Sequence, residues 1–171
     1  GKINEQLRDQ ELSFLSITVD PANDSPEVLN RYAQDFGASP PRWLFLTDQP
    51  YKIKQLGEQV FEVPIGNNPE DHTHTEDLLL VDKWGRFRDR FRWSDPADVK
   101  RLNQIVKQVC AETEPPLEQT FRTRNVVAGQ PPINLNTRQW VREFHLTDSD
   151  EKTFYSRELT GQVWIGNFFF T

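Results

Sequence analysis

A chain of 171 residues has room for one ordinary domain, or a domain with a long tail. At 36% hydrophobic residues the core is economical, yet 12% aromatics exclude wholesale disorder, and a net charge of -6 disfavours general nucleic-acid binding, which depends on neutralising phosphates. A single cysteine, Cys110, excludes an internal disulfide, a CxxC redox pair and a cysteine-rich zinc site, and no window approaches the roughly 18 apolar residues of a membrane span.

Gly1 to Gln10 reads as the end of a helix, polar and free of breakers after its first residue. Leu12 to Val19 is a short apolar run rich in β-branched residues, closed by Asp20-Pro21, and predicts a buried strand. Ser25-Pro26 opens a helix, with Ser as the cap and Pro in the first turn. Val28, Leu29, Tyr32, Ala33 and Phe36 form its apolar face, and Gly37 stops it. Trp43 to Leu46 predicts a short strand, and Tyr51 to Leu56 a brief helix closed by Gly57. Val60 to Ile65 reads as extended chain around Pro64. Asp77 to Asp82 is a second buried strand. Lys83-Trp84-Gly85 then turns the chain into Arg86 to Trp93, which alternates strictly. Asp95-Pro96 opens a helix running to about Cys110, with Val99, Leu102, Ile105, Val106 and Val109 on its inner stripe.

The composition changes after that helix. Paired prolines and many Asn, Gln and Thr residues mark a linker over 111–139. Trp140 to Thr147 predicts a strand, and Ser156 to Leu159 a turn or short helix. Val163 to Thr171 is the most apolar stretch of the chain. No internal repeat or low-complexity tract is present, and the absence of Met, even at position 1, points to an excised or processed segment. A βαβ crossover joined to a ββα unit is the plan of a thioredoxin-like α/β fold, a mixed sheet flanked by helices. Val163, Trp164, Ile165 and Phe168 to Phe170 are too apolar to hang free, so this strand is expected beside Leu12–Val19 and parallel to it.

Ser16–Ala38 (SITVDPANDSPEVLNRYAQDFGA) followed by Trp43–Asp48 (WLFLTD) resembles the SCO/SenC family, thioredoxin-like proteins that deliver copper to cytochrome oxidase. His74–Phe91 (HTEDLLLVDKWGRFRDRF) resembles the family's copper-binding histidine and the hairpin after it. Glu143–Thr171 resembles the family's opening: a hairpin, a short turn and the first central strand. These matches stand in rotated order. In the family, a CxxxC copper motif and most of the first helix follow the equivalent of Phe168–Thr171. The resemblance therefore implies a chain that begins just after the motif and ends just before it. Residues 1–110 are then the back portion of an SCO-like domain, 111–139 a Pro-rich linker, and 140–171 an opening hairpin with the first central strand. Tandem SCO-like domains and a rotated single domain both produce this order. A monomer and a strand-swapped dimer both place the last strand in a sheet.

What the resemblance implies for the site is a pair of thiolates with one imidazole, and His74 holds the imidazole position. Soft thiolates select Cu(I), so without them tight copper binding by this chain alone is not expected. His72 lies two residues earlier, on the same side of an extended segment, so the two rings, with Asp71 or Asp77, form a weak Cu(II) or Zn(II) chelate or else two solvent-exposed loop histidines. Asp20 stands at the carboxyl end of a parallel strand, where open α/β sheets bind ligands. It reads either as a carboxylate that supports the copper ligands from behind or as a turn-former before Pro21. Cys110 ends a helix away from the site and reads as structural, and His145 as a surface residue. The arginines at 86, 88, 90 and 92 give one strand face a cationic character, either a dock for an acidic partner or a solvated face.

Two functions compete. One is an SCO-like protein of copper delivery or thiol-redox support in cytochrome c oxidase assembly. It implies an extracytoplasmic location and the oxidase copper-site subunit as partner. The other is a thioredoxin-like module without redox chemistry that serves binding or structure. A peroxiredoxin-like thiol enzyme needs a nucleophilic cysteine after the first central strand, and this chain has none there, so no catalytic residue is assigned.

Overall fold

The computed structural model describes residues 2–63, 65, 76–115 and 140–170. A short helix, α1 (Lys2–Gln6), leads into β1 (Leu12–Thr18), buried along its whole length. Leu12, Phe14, Leu15 and Ile17 supply its apolar side chains, and the buried hydroxyls of Ser13, Ser16 and Thr18 donate to Gln162, Asn167 and Asp24. Ser25 caps α2 (Pro26–Asp35) by accepting a hydrogen bond from the Val28 amide at 3.3 Å. Gly37, at φ +65°, takes the left-handed conformation that lets the chain leave the helix. Phe36 does not complete the apolar face as expected. It sits at the cap, 46% exposed, with its ring 4.7 Å from Tyr32. Next come β2 (Trp43–Thr47) and α3 (Pro50–Leu56).

Gly57 does not close α3. The chain continues through it in helical conformation into a π-helical turn, Gly57–Phe61, and ends at Glu62 with φ 53°. The expected extended chain from Val60 to Ile65 is thus replaced in its first part by this turn. The reason for glycine is proximity, because a Cβ at position 57 would lie 2.4 Å from Ile65 Cγ1.

β3 (Asp77–Val81) and β4 (Phe87–Arg92) form an antiparallel hairpin with a bulge between Leu80 and Val81. α4 (Pro96–Ala111) follows, capped by Asp95, whose carboxylate accepts from the Ala97 amide at 2.9 Å. The expected strand from Trp140 is shorter: regular pairing starts at β5 (His145–Asp148) and turns into β6 (Thr153–Tyr155). Trp140 instead makes an isolated bridge to Arg86 and lies under its guanidinium at 4.7 Å. A single 3-10 turn, Ser156–Leu159, precedes β7 (Val163–Phe169).

The described strands form one sheet in the order β4-β3-β7-β1-β2-β5-β6. β7 runs parallel to β1 over its full length, from Leu12 opposite Val163 to Thr18 opposite Phe169, and antiparallel to β3. This is the placement expected for the Val163–Thr171 stretch. Strand alternation sends β7 into both halves of the core. Trp164 and Phe168 pack with Leu15, Ile17 and Phe61, while Val163 and Ile165 pack with Phe14, Leu102 and Val106. The result is the predicted thioredoxin-like mixed sheet flanked by helices, with the β5–β6 hairpin added at one edge.

Candidate functional site

β1, β2 and β7 are parallel and β3 opposes β7, so three carboxyl ends and the amino end of β3 meet at one end of the sheet. Asp20 stands there, just past β1. Its backbone is fixed from several sides. The Asp20 amide donates to Thr18 Oγ1 at 2.9 Å, and its carbonyl accepts from the amides of Asn23 at 3.1 Å and Asp24 at 3.0 Å. The Asp20 carboxylate accepts from Asn23 Nδ2 at 2.8 Å. Beneath the turn, the buried Thr18 hydroxyl donates to Asp24, a carboxylate only 1% exposed. Burial, and then the Asp24 charge, push the nearby Tyr32 hydroxyl above its ordinary pKa. Asp20 therefore does form the turn expected of an Asp before Pro, and the turn holds it at the end of the sheet where β1, β2 and β7 finish. Thr18 and Asp24 were not singled out by sequence reasoning. A hydroxyl closing an apolar strand, with an acid six residues later, is the signal that marks them.

His72 and His74 lie outside the described residues. The chain is described again from Glu76, and β3 begins at Asp77, three residues after His74. The structure thus brings Asp20 and the entry to β3 to the same end of the sheet. Among the described residues, no group of three or more His, Cys, Asp or Glu is placed to hold a metal ion. Asp77 is ion-paired with Arg90 at 3.0 Å, and burial pushes its carboxyl above the ordinary value despite that cation.

Cys110 is at the other end. Its thiol points to the Glu11 carbonyl at 3.7 Å and lines a cleft of about 380 Å³ with Ser13, Arg42, Lys83 and Gln162, where β1 and β7 begin. Burial raises the thiol pKa, which leaves less of the reactive thiolate at neutral pH. The cations of this cleft serve the backbone: Arg42 donates to the carbonyls of Leu7, Gln10 and Leu12, and Lys83 to those of Cys110 and Glu112.

The arginine-rich strand is neither an open cationic face nor a solvated one. The bulge puts Phe87 against the Leu79 and Val81 side and Phe91 against the Leu78 and Leu80 side, so strict alternation does not survive. Arg88 pairs with Asp82 at 3.3 Å and with Glu112. Arg90 pairs with Asp77, and only Arg92 ends the strand exposed. Asp82, fully buried, also accepts from the Trp84 and Arg86 amides at 3.0 and 2.9 Å and so ties the hairpin turn. His145 is exposed on β5, opposite Tyr155.

The sheet and its helices define a thioredoxin-like protein, with Asp20 standing at the end of the sheet where β1 and β7 finish. The profile of the SCO1/SenC family matches residues 2–111, and the chain belongs to that family. It is similar to the SCO2-like protein RP587 of Rickettsia prowazekii (strain Madrid E), at 33% identity over 81 residues. That match covers 44% of this chain and 38% of the relative, so the chain spans well under half the length of the relative it matches. No solved structure matches the chain significantly. Among the described residues, no helix is long and apolar enough to cross a membrane.

Proposed function

We propose that this chain belongs to the copper-delivery or thiol-redox machinery that supports cytochrome c oxidase assembly. Copper is its cargo, the oxidase copper-site subunit its acceptor, and an extracytoplasmic compartment its location. Residues 1–110 act as the back portion of the SCO-like domain, 111–139 as linker, and 140–171 as the opening hairpin and first central strand. The observation that carries this reading is the convergence of β7, the Asp20 turn and the entry to β3 at one end of a sheet in an SCO1/SenC chain. His74 is the imidazole ligand, His72 a weaker alternative, and Asp20 a carboxylate that orients them. The donors of this chain do not fit a tight Cu(I) site, because its one thiol lies at the opposite end of the sheet.

The location of that thiol also favours a second reading, a thioredoxin-like binding module without redox chemistry. Copper titration separates the two. The expected result is weak Cu(II) binding that His74→Ala abolishes, His72→Ala weakens and Cys110→Ser leaves unchanged. Cu(I) is expected to pass to a competing chelator. Tight Cu(I) retention by this chain, or Cu(II) binding that survives His74→Ala, sinks the assignment of His74. No Cu(II) binding at all supports the second reading.

A further inference from the structure

β4 is the last described strand on its side of the sheet. In an antiparallel pair, alternate residues turn their amide and carbonyl toward the partner strand and away from it. The Trp93 amide donates to the Glu76 carbonyl at 2.8 Å, next to the Asp77–Arg92 pair. That parity turns Phe91 toward β3, and Arg90 and Arg92 outward. Each outward group of these two residues has a partner. The Arg90 amide donates to Asp89 Oδ1 at 2.7 Å, and the Arg90 carbonyl accepts from Arg101 Nη2 at 2.9 Å. The Arg92 amide donates to Asp98 Oδ2 at 3.0 Å, and the Arg92 carbonyl accepts from the Asp95 amide at 3.2 Å. Arg101 and Asp98 both stand on α4, with Arg101 Nε 3.5 Å from Asp98 Oδ1. Arg101 also pairs with the Asp89 carboxylate and lies over the Phe91 ring at 4.0 Å.

Edge strands are commonly kept from joining other chains by charged side chains, because like charges repel across a new strand pair. On β4 that guard is neutralised: Arg88 pairs with Asp82 and Glu112, and Arg90 with Asp77. We propose that β4 is a latent pairing edge for a second copy of this chain, closed by Arg101 and Asp98, which occupy the backbone groups that a new strand needs. An antiparallel copy of β4 offers the same alternation of donors and acceptors, so the edge is complementary to itself. α4 does not depend on the two charged residues for its place, because Leu102, Val106 and Val109 bury it against Phe14, Phe91 and Ile165. Their removal therefore opens the edge without releasing the helix.

The test uses the intact chain and two readouts. Amide exchange followed by NMR reads the edge itself. Asp98→Ala is expected to speed exchange of the Arg92 amide about tenfold, and Arg101→Met, which frees the Asp89 carboxylate, to speed that of Arg90 about threefold. The Phe91 and Leu78 amides, paired across the β3–β4 ladder, are expected to keep their rates. Acceleration shared equally by Phe91 and Leu78 overturns the proposal, since it reports loosening of the whole strand pair. Sedimentation velocity reads the pairing. The Asp98→Ala, Arg101→Met double variant is expected to reach about twice the wild-type mass at concentrations where the wild-type mass is constant. Adding Arg92→Pro removes an outward amide without touching the ladder to β3, and is expected to restore the wild-type mass. Arg88→Met, which removes ion pairs from the same strand but no partner of the outward groups, is expected to keep the wild-type mass. A double variant that stays at the wild-type mass overturns the proposal, and so does a doubling that survives Arg92→Pro.

Discussion

Replacing Phe168 by Ala tests whether β7 is the centre of the core. Phe168 is 3% exposed and belongs to the cluster that includes Leu15, Ile17, Phe61 and Trp164. Its ring meets Phe61 edge-on at 5.6 Å. An aromatic side chain buries roughly 150–250 Å², which at about 25 cal/mol per Å² bounds its hydrophobic contribution near 4–6 kcal/mol. A compact unfolded state lowers that bound, and core Phe→Ala changes usually cost about 3–5 kcal/mol. The expected loss is therefore about 4 kcal/mol, read from the shift in urea midpoint at constant m-value. Phe36→Ala is the matched control. That ring is 46% exposed, and its removal is expected to cost about 0.5 kcal/mol or less. A Phe168→Ala loss below 1 kcal/mol would refute the placement of β7. A loss that depends on protein concentration would show that the strand is supplied by a second copy.

Gly57→Ala is expected to cost about 1–3 kcal/mol by the same assay, because its Cβ would lie 2.4 Å from Ile65 Cγ1 and 3.2 Å from the Val63 carbonyl. An unchanged midpoint would mean that Ile65 does not press on the π-turn. Asp77 gives a pH signature. Its carboxyl pKa is raised in the folded state, first by burial, so the folded protein holds that proton more tightly than the unfolded chain does. Its contribution to stability is complete below the ordinary carboxylate value of 3.8 and is lost as pH rises through the higher folded value. Stability measured across that window should fall with pH through this group, and the slope should disappear in Asp77→Asn.

Much of the fold was legible because local and long-range preferences agree. The apolar run of β1, the Ser25-Pro26 start of α2 and the Asp95-Pro96 start of α4 each carry their own signal. Gly57 misled for a physical reason: a glycine at a helix end and a glycine under a side chain look alike in sequence. The arginine strand misled because one bulge re-sorts every side chain beyond it, and a bulge leaves no mark in an alternating pattern. The position of Asp20 at the end of a parallel strand was legible from the turn signal that follows β1. Thr18 and Asp24 act through contacts that close only when the turn forms. His74 became a candidate by resemblance to a family, and His72 by its two-residue spacing from His74.

The central place of β7 bears on how the chain is made. Ser16 of β1 meets Asn167 of β7 at 2.8 Å across nearly the whole sequence. On the ribosome, β1 and β3 emerge long before the strand that must lie between them. Within this chain, the edges of β1 and β3 that receive β7 stay unfilled until residues 163–169 are in place, and such edges invite pairing with other chains. Non-local pairing of this kind also slows folding in free solution. A version of this chain that stops after α4 should therefore aggregate when isolated, whereas one that runs through Phe169 can complete the sheet from within.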